Sequence, residues 1–212
     1  MEAVYLSTAY LAPVQYYCKL FQYEQVYIET EENYLKQTYR NRCHIAGANG
    51  VLPLSIPIEK PETIKCLTKD IRISDHGNWR HLHWNAIVSA YNTSPFFEYY
   101  QDDFVPFYSK KQNFLLDFNE ELRQLVCELL DLHPAVAYTE QYQPTVAHDF
   151  RESIRPKHAG EDPDFVPLPY YQVFATKYGF LPNLSILDLL FNMGPEGLLV
   201  LKNYTRHKSC ER

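Results

Sequence analysis

The sequence is short of glycine and contains none of the glycine-rich loops that hold phosphates. It has 7 glycines in 212 residues, and neither GxGxxG nor GxxxxGK followed by Ser or Thr occurs. The absence of both patterns excludes the dinucleotide-binding and P-loop classes that are recognised by them. A serine nucleophile elbow, an HExxH helix and the protein-kinase motifs are absent too, so no known catalytic motif indicates an enzyme class.

Cysteine is present, but not in a pattern that binds metal or builds a disulfide framework. The number of cysteines is odd, their spacing is wide and CxxC does not occur; they are Cys18, Cys43, Cys66, Cys127 and Cys210. We therefore expect reduced thiols, and we predict neither a metal site nor a cofactor.

Long apolar runs and a basic leader are missing as well. The N-terminal segment carries Glu2 and lacks a basic stretch followed by an apolar run, so no signal peptide is predicted. The longest apolar runs are much shorter than a membrane-spanning helix requires. Together with the cysteines, these features predict a cytoplasmic protein without an integral membrane span.

The net charge is negative, which bears on the class of partner. Lys and Arg total 20, Asp and Glu total 26, and the formal net charge is -6. General binders of nucleic acid or of anionic membranes are usually basic, so we expect neither partner. A site for phosphate or carboxylate must therefore be a local cluster of Arg or Lys. The 18 Tyr and 12 Phe supply rigid aromatic surface for a core or a ligand pocket.

The order of predicted elements indicates an α/β fold. Residues 3–8 and 25–29 have the composition of strands, and a helix with Pro13 in its first turn lies between them. We expect one domain over residues 1–212, with a mixed β-sheet flanked by helices in a Rossmann-like three-layer arrangement. Ligands in such folds bind at the carboxyl ends of strands. Three residues after the first strand, Tyr10, Gln15 and Tyr16, are thus candidates for the edge of a pocket. The alternative is that they are ordinary turn and helix residues.

Asn49-Gly50 predicts a β-hairpin between a strand near 40–46 and one near 51–58. In the first of these strands, Arg40 and Arg42 point to the same face. Guanidiniums match the geometry of phosphate and carboxylate, so this pair is either an anion site or is salt-bridged to acidic residues. A proline-rich polar loop at 148–171 is a candidate lid. Its first part carries three basic residues, Arg151, Arg155 and Lys157, which either contact an anion or form a solvated basic run.

A helix over residues 79–91 is predicted by four bulky residues at intervals of four, Trp79, His83, Ile87 and Tyr91. Asn78 is a plausible N-cap, and Pro95 marks the end. The stripe is either core, with His83 hydrogen-bonded inside it, or the wall of a pocket, with His83 as acid, base or ligand contact.

The last predicted helix covers residues 184–193, with Asn183 or Ser185 as its cap and Gly194-Pro195 as its stop. Apolar residues surround almost the whole helix, so Asp188 inside it is costly unless it is paired. It is either a structural carboxylate or a functional one with a shifted pKa. Its candidate partners are Arg40, Arg42 and His83.

The chain resembles the WbqC-like family of bacterial proteins. The resemblance rests on YLAPVQYY near the start, TYRNR with the following hairpin, the W-x3-H-x3-I-x3-Y-x3-P series at 79–95 and FLPNLSILDLLFNMGPE at 180–196. The start reads STAYLAP where the family has a Gln-Pro-x-Tyr-Leu-Pro-type turn, and the segment before the final block is short. The positions that match the family are Tyr10, Pro13, Arg40, Asn41, Arg42, Trp79, His83, Tyr91, Asn183, Ser185, Asp188 and Asn192.

The resemblance implies a role in O-antigen or other surface-polysaccharide biosynthesis. A transferase that adds an acyl or aminoacyl group to a nucleotide-linked sugar is consistent with it. The predicted partner is a small molecule with a phosphate or carboxylate; no oligomeric state is predicted. His83 is the acid/base candidate and Asp188 its orienting or charge-balancing group. The substrate-binding candidates are Tyr10, Arg40, Asn41, Arg42, Trp79, Tyr91 and Asn183.

Two other functions fit the same sequence. One is a non-catalytic module that binds a nucleotide-sugar or another ligand. The other is a structural interaction protein that uses a Tyr-rich interface, since tyrosine is enriched where proteins meet.

Overall fold

The first strand, helix and second strand form where the sequence predicts them. In the computed structural model, which describes residues 2–61, 65–157 and 160–205, β1 covers Ala3–Ser7, α1 covers Val14–Gln22 and β2 covers Gln25–Glu29. Pro13 precedes α1, where a residue without an amide hydrogen leaves no donor unsatisfied. The predicted strands at 3–8 and 25–29 are confirmed.

The other elements come in groups: a pair of strands, three helices, a single strand and three more helices. In chain order they are β3 (Arg42–Gly47), β4 (Gly50–Ser55), α2 (Trp79–Tyr91), α3 (Phe97–Ser109), α4 (Leu115–Leu129), β5 (Val136–Tyr138), α5 (Ala175–Tyr178), α6 (Ile186–Met193) and α7 (Gly197–Tyr204). The predicted helices at 79–91 and 184–193 therefore exist, with boundaries within a few residues of those expected.

Strands β1, β2 and β5 form a parallel sheet in the order β1-β2-β5. On the other side of β1, the backbone near Asp149 makes a parallel bridge to Tyr5. The chain therefore runs outward from β1 through β2 to β5 and then returns to the opposite side of β1. In open α/β sheets, the crevice at such a reversal, outside the carboxyl ends of the strands, is where ligands bind.

The α/β fold is confirmed, with the parallel sheet flanked by helices in a Rossmann-like manner. The antiparallel strands β3 and β4 form a sheet of their own. The predicted hairpin is present, but its two turn residues are Ala48 and Asn49, and Gly50 opens β4. Gly50 has φ 103°, a conformation in which a side chain would be strained.

Two local predictions were wrong. Arg40 and Arg42 do not share the face of a strand, because Tyr39–Asn41 forms a 3-10 turn and β3 begins only at Arg42. Asn78 precedes α2 in the left-handed conformation, with φ 48°, and its side chain makes no capping hydrogen bond.

The core extends over the sheet and most helices, and α2 and α6 each contribute a buried face to it. All four residues of the predicted α2 stripe are buried, and every residue of Ile186–Asn192 is buried on α6. Phe191 is fully buried, and its ring packs against Tyr91, Phe97 and Phe104 at centroid distances of 5.4, 5.1 and 5.6 Å. Ser185 caps α6 as predicted, by accepting a hydrogen bond from the Leu187 amide.

Candidate functional site

The turn after β1, the turn at Tyr39–Asn41 and helix α2 meet, and packed side chains fill the place where they do. The amide of Tyr10 donates to the Tyr39 carbonyl at 2.9 Å, and the Tyr10 hydroxyl lies 3.0 Å from Nδ1 of His83. Tyr10 is 0% exposed and His83 is 6% exposed. Trp79 is buried against the same imidazole, with ring centroids 5.1 Å apart. These rings leave no room for a ligand between them.

The imidazole of His83 is held as a neutral group. The Tyr10 hydroxyl bonded to it is also 2.8 Å from the Tyr108 hydroxyl. Burial lowers the pKa of His83 to about 4, against the opposing effect of a hydrogen bond to the Ser55 backbone. The ring is therefore uncharged at neutral pH, and its hydrogen bonds fix its orientation. This geometry matches the core interpretation of the α2 stripe.

Asp188 is paired, but not with the cationic residues that we expected. Its carboxylate accepts hydrogen bonds from the hydroxyls of Tyr91 at 3.1 Å and Tyr170 at 2.7 Å, and from Nε2 of Gln172 at 2.7 Å. The expectation of Arg40, Arg42 or His83 as its partner was wrong. Burial raises the pKa of Asp188 to about 6, and the three donors partly offset that effect.

Three other predicted site residues make structural hydrogen bonds. Asn183 has φ 55°, and its Oδ1 accepts from the Gln15 amide at 3.0 Å, which satisfies a free donor in the first turn of α1. Nδ2 of Asn41 donates to the Ile56 carbonyl at 2.8 Å, and Nε of Arg42 donates to the Ser55 hydroxyl at 2.8 Å.

Arg40 lies at the carboxyl end of β1, inside a network of carboxylates. Its Nε and Nη2 donate to the two oxygens of Glu32 at 2.7 and 2.6 Å. Nη2 also donates to the Ser7 hydroxyl at 2.7 Å and to Oε1 of Glu152 at 2.8 Å. Burial raises the pKa of Glu32, although Arg40 and Ser7 oppose the shift. The guanidinium therefore holds two acidic side chains next to the last residue of β1.

Arg151 occupies a matching position beside β2. Its Nη1 donates to Glu29, the last residue of β2, at 2.8 Å. Its Nε and Nη2 hold both oxygens of Asp149 at 2.9 and 2.6 Å. Arg151 is 4% exposed. Each of the two buried arginines therefore donates to both oxygens of one carboxylate, Arg40 to Glu32 and Arg151 to Asp149, near the carboxyl edge of the sheet.

A narrow cleft opens between these arginines, and we call it the β1 cleft. Its cavity volume is about 10 Å3, which is room for one water molecule. Its wall includes Ser7, Thr8, Tyr16, Arg40 and Arg151. The cleft lies where the strand order reverses beside β1, which is the expected position of a ligand site in an open α/β sheet.

Tyr16 in this wall carries an unsatisfied polar group. The side chain is 3% exposed, and its hydroxyl makes no hydrogen bond with any residue that the structure describes. A buried hydroxyl without a partner costs free energy in the folded protein. An ordered water or a ligand can complete the hydrogen bonding of such a group, as it can for other buried polar atoms of the described residues, such as those of Thr68 and Ser94.

The sequence identified part of this site. Tyr16, Arg40 and Arg151 were candidates, and the structure brings them to one cleft. Ser7, Glu29, Glu32 and Glu152 were missed. Ser7 lies near the end of the predicted strand 3–8, and Glu29 ends the predicted strand 25–29. Ligands bind at the carboxyl ends of such strands, so this position could have marked both residues as site candidates. Of the other two pocket-edge candidates, Tyr10 is in the core and Gln15 bonds Asn183 and Asp162.

No group of three or more His, Cys, Asp or Glu side chains within residues 2–61, 65–157 and 160–205 is arranged to hold a metal ion. In that same part of the chain, no helix is both long enough and apolar enough to cross a membrane. The cysteines at 18, 43, 66 and 127 are free, and Cys210 lies outside the described residues.

Comparison with known proteins supports the resemblance found in the sequence. The model of the WbqC-like protein family matches residues 8–155, which include Arg40, Arg151 and most of the β1 cleft. The match ends before residues 180–196, so the place of that segment in the resemblance stays a prediction. The uncharacterised protein Rv1507c of Mycobacterium tuberculosis is 23% identical over 201 residues, covering 82% of this chain and 85% of that protein. No solved structure matches significantly. The chain belongs to the WbqC-like protein family.

Proposed function

We propose that this protein is a transferase of surface-polysaccharide biosynthesis that adds an acyl or aminoacyl group to a nucleotide-linked sugar. The bond between that group and an activated carrier breaks, and an ester or amide bond to the sugar forms. The proton of the sugar's hydroxyl or amine passes to the leaving group. Family membership and the β1 cleft support this proposal, and a cytoplasmic location, in keeping with the free cysteines, belongs to it.

The observation that carries the proposal is the position of Arg40. The guanidinium of Arg40 lies at the strand-order reversal, where α/β sheets bind ligands, and it already holds the carboxylates of Glu32 and Glu152 there. In the proposed site, Arg40 holds an oxyanion of the substrate. The hydroxyl of Tyr16, whose main electrostatic neighbours are Glu120 and Arg123 on α4, supplies a hydrogen bond to the part of the ligand that lies behind the cleft wall. We do not assign the acid/base role to His83 or Asp188 here, because their polar atoms are already bonded within the protein.

A second candidate is a non-catalytic module that binds the same ligand. The bonded state of His83 and Asp188 favours it, since both predicted catalytic groups have structural partners. This candidate predicts the same cleft and the same ligand, but no chemical conversion. Turnover therefore separates the two candidates, while binding at the cleft is common to both.

The test is a thermal-shift screen followed by turnover assays. The panel contains nucleotide-sugars, nucleoside phosphates, acyl-CoAs and amino acids, and each hit is titrated against wild type, Tyr16→Phe and Tyr99→Phe. A ligand at 100 times its dissociation constant adds about 2.7 kcal/mol of stability. Tyr16→Phe removes a hydroxyl that has no protein partner, so folding is retained while the dissociation constant rises about 2- to 10-fold. Tyr99 is 77% exposed and is the control for a lost hydroxyl.

Each outcome has a clear meaning. A nucleotide-sugar that binds wild type and Tyr99→Phe equally but Tyr16→Phe more weakly supports the site. Mass-spectrometric detection of an acylated or aminoacylated sugar then supports the transferase. If no member of the panel stabilises the folded protein, or if Tyr16→Phe binds as tightly as wild type, the proposed site is wrong.

A further inference from the structure

Glu152 is the one solvent-facing carboxylate among the partners of Arg40. The side chains of Arg40 and Glu32 are 2% and 6% exposed, whereas that of Glu152 is 49% exposed. Glu152 lies directly after Arg151 in the segment that borders β1. Because Arg40 is otherwise enclosed, a dissolved anion reaches its guanidinium most directly by the path that Glu152 now takes.

The contact between Arg40 and Glu152 is also the weakest in its network. Nη2 of Arg40 carries two hydrogens, yet it has three acceptors within 2.8 Å, the oxygens of Ser7, Glu32 and Glu152. Glu32 has a second bond from Nε and is buried, and Ser7 is fixed on β1. Among the described residues, Glu152 accepts this one hydrogen bond, and it shares the two hydrogens of Nη2 with Ser7 and Glu32. A half-exposed ion pair of this kind contributes little to stability.

We infer that Glu152 occupies the position of a substrate oxyanion, and that a singly charged carboxylate or phosphodiester group displaces it from Arg40. This inference rests on the proposed binding of a substrate in the β1 cleft. Glu152 would swing into water, where it is already half hydrated, and the incoming group would take over its hydrogen bond. The β1 cleft has room for about one water molecule, so a larger ligand needs neighbouring side chains to move. Glu152 does not line the cleft, but it bonds Arg40, which does, and its departure would open Arg40 to solvent.

The charge of the network defines the class of anion. The two arginines face four carboxylates, those of Glu29, Glu32, Asp149 and Glu152. Exchanging the carboxylate of Glu152 for another single negative charge leaves the balance unchanged. A phosphate monoester carries nearly two charges at pH 8, so it would add a negative charge to a network that already has an excess. Carboxylates and phosphodiesters are therefore preferred to phosphate monoesters.

The test uses small probes with the full-length protein at pH 8 and constant ionic strength. Dimethyl phosphate and acetate are the singly charged probes, and inorganic phosphate is the doubly charged one. Dissociation constants are measured by NMR titration for wild type, Glu152→Ala and Asp75→Ala. Asp75 is the matched control, because it is 46% exposed and also bonds an arginine, Arg80, at 2.7 Å. Removing the internal competitor is expected to tighten binding of the singly charged probes about 2- to 5-fold in Glu152→Ala.

Asp75→Ala, which loses the same charge elsewhere, is expected to leave all three constants unchanged. The inference is overturned if Glu152→Ala binds dimethyl phosphate and acetate no more tightly than wild type, or if neither probe binds any variant. It is also overturned if wild type prefers inorganic phosphate. If the inference is overturned but a nucleotide-sugar still binds in a Tyr16-dependent manner, the proposed function stands. If no nucleotide-sugar binds, the proposed function and the inference are both wrong.

Discussion

The hydroxyl of Tyr10 lies 3.0 Å from Nδ1 of His83 and joins the turn after β1 to the middle of α2. Both residues lie within the range that the family model matches, and the contact gives them a structural role. The phenol satisfies a polar atom of an imidazole that is 6% exposed. Without it, that nitrogen would be a buried group with no partner, at a cost of about 1–3 kcal/mol. The pair therefore stabilises the joint between the sheet and the helical core.

His83 is expected to make the protein sensitive to acid. Its pKa is lowered to about 4 by burial, while an unfolded histidine titrates near 6.5. Between these values the unfolded state binds more protons, so the free energy of unfolding falls as pH decreases from 6.5 to 4. The contribution is at most about 3 kcal/mol, from a shift of roughly 2.5 pH units. Urea unfolding of wild type and His83→Gln at several pH values measures it.

Glutamine retains a hydrogen-bonding side chain but cannot titrate, so His83→Gln should lose less stability than wild type over that interval. A surface histidine, His133, whose side chain is 78% exposed, provides the matched control His133→Gln. Parallel pH profiles for wild type and His83→Gln would show that His83 is solvated in the folded protein.

Asp188 is expected to act in the opposite direction over nearly the same interval. Its pKa in the folded protein is raised to about 6 by burial, against about 3.9 when unfolded. The folded state binds more protons between pH 4 and 6, so the free energy of unfolding falls as pH rises. The loss is about 3 kcal/mol at most. Asp188→Asn should remove this loss, as measured by urea unfolding at pH 4, 5, 6 and 7.

The quantity to compare is the change of the unfolding free energy with pH, not its absolute value. Asparagine also changes the hydrogen bonds to Tyr91 and Tyr170, and that effect does not depend on pH. The difference in unfolding free energy between wild type and Asp188→Asn is expected to shift steadily in favour of the variant from pH 4 to pH 6. A difference that does not depend on pH in this range would contradict a raised pKa for Asp188.

What the sequence could predict follows from the range of the interactions involved. The spacing of Trp79, His83, Ile87 and Tyr91 is a local property, and it correctly placed one buried face on a helix. The hairpin also depended on neighbouring residues. Partners are different, since Arg40 meets a residue 112 positions away in Glu152. Periodicity carries no information on such a distant contact.

The same reasoning explains the errors around the candidate site. Two arginines separated by one residue suggested a strand with a common face, but the hydroxyl of Thr38 accepts from the Arg40 amide and starts a 3-10 turn. The turn sends Arg40 into the protein, where Glu32 neutralises it, and leaves Arg42 on the hairpin. A short polar motif thus overrode the strand pattern.

Lys19 is expected to restrain the acidic loop around Asp162 through a buried ion pair. Its Nζ lies 2.8 Å from Asp162, and the two side chains are 1% and 4% exposed. Removal of one partner of a buried pair leaves an unpaired charge, so Lys19→Met should cost about 3–5 kcal/mol. The double variant Lys19→Met/Asp162→Leu should recover much of this loss. Urea unfolding measures both, with Lys69→Met at an exposed pair as the control.

Limited proteolysis locates the effect of Lys19→Met in the chain. Asp162 belongs to the 148–171 segment that the sequence marked as a candidate lid, and its bonds to Lys19 and Gln15 fix it to α1. Cleavage in this segment should therefore accelerate in Lys19→Met before the rest of the protein is cut. Unchanged cleavage there would mean that the pair does not restrain the loop.

Arg40 and Glu32 are expected to show strong energetic coupling. Arg40→Met should destabilise the protein by about 3–5 kcal/mol, because Glu32 would be left buried with a carboxylate that has lost its forked partner. Arg40→Met/Glu32→Leu removes both charges, so its loss should be smaller than the sum of the two single losses by more than about 1 kcal/mol. Glu152→Ala removes only the half-exposed partner and should cost less than about 1 kcal/mol. Urea unfolding of the four variants gives the coupling.

Two results would contradict this account. Additive losses in the double variant would show that the fork between Arg40 and Glu32 contributes little to folding. Equal losses of unfolding free energy for Glu32→Leu and Glu152→Ala would contradict the different roles that follow from the burial of Glu32 and the exposure of Glu152.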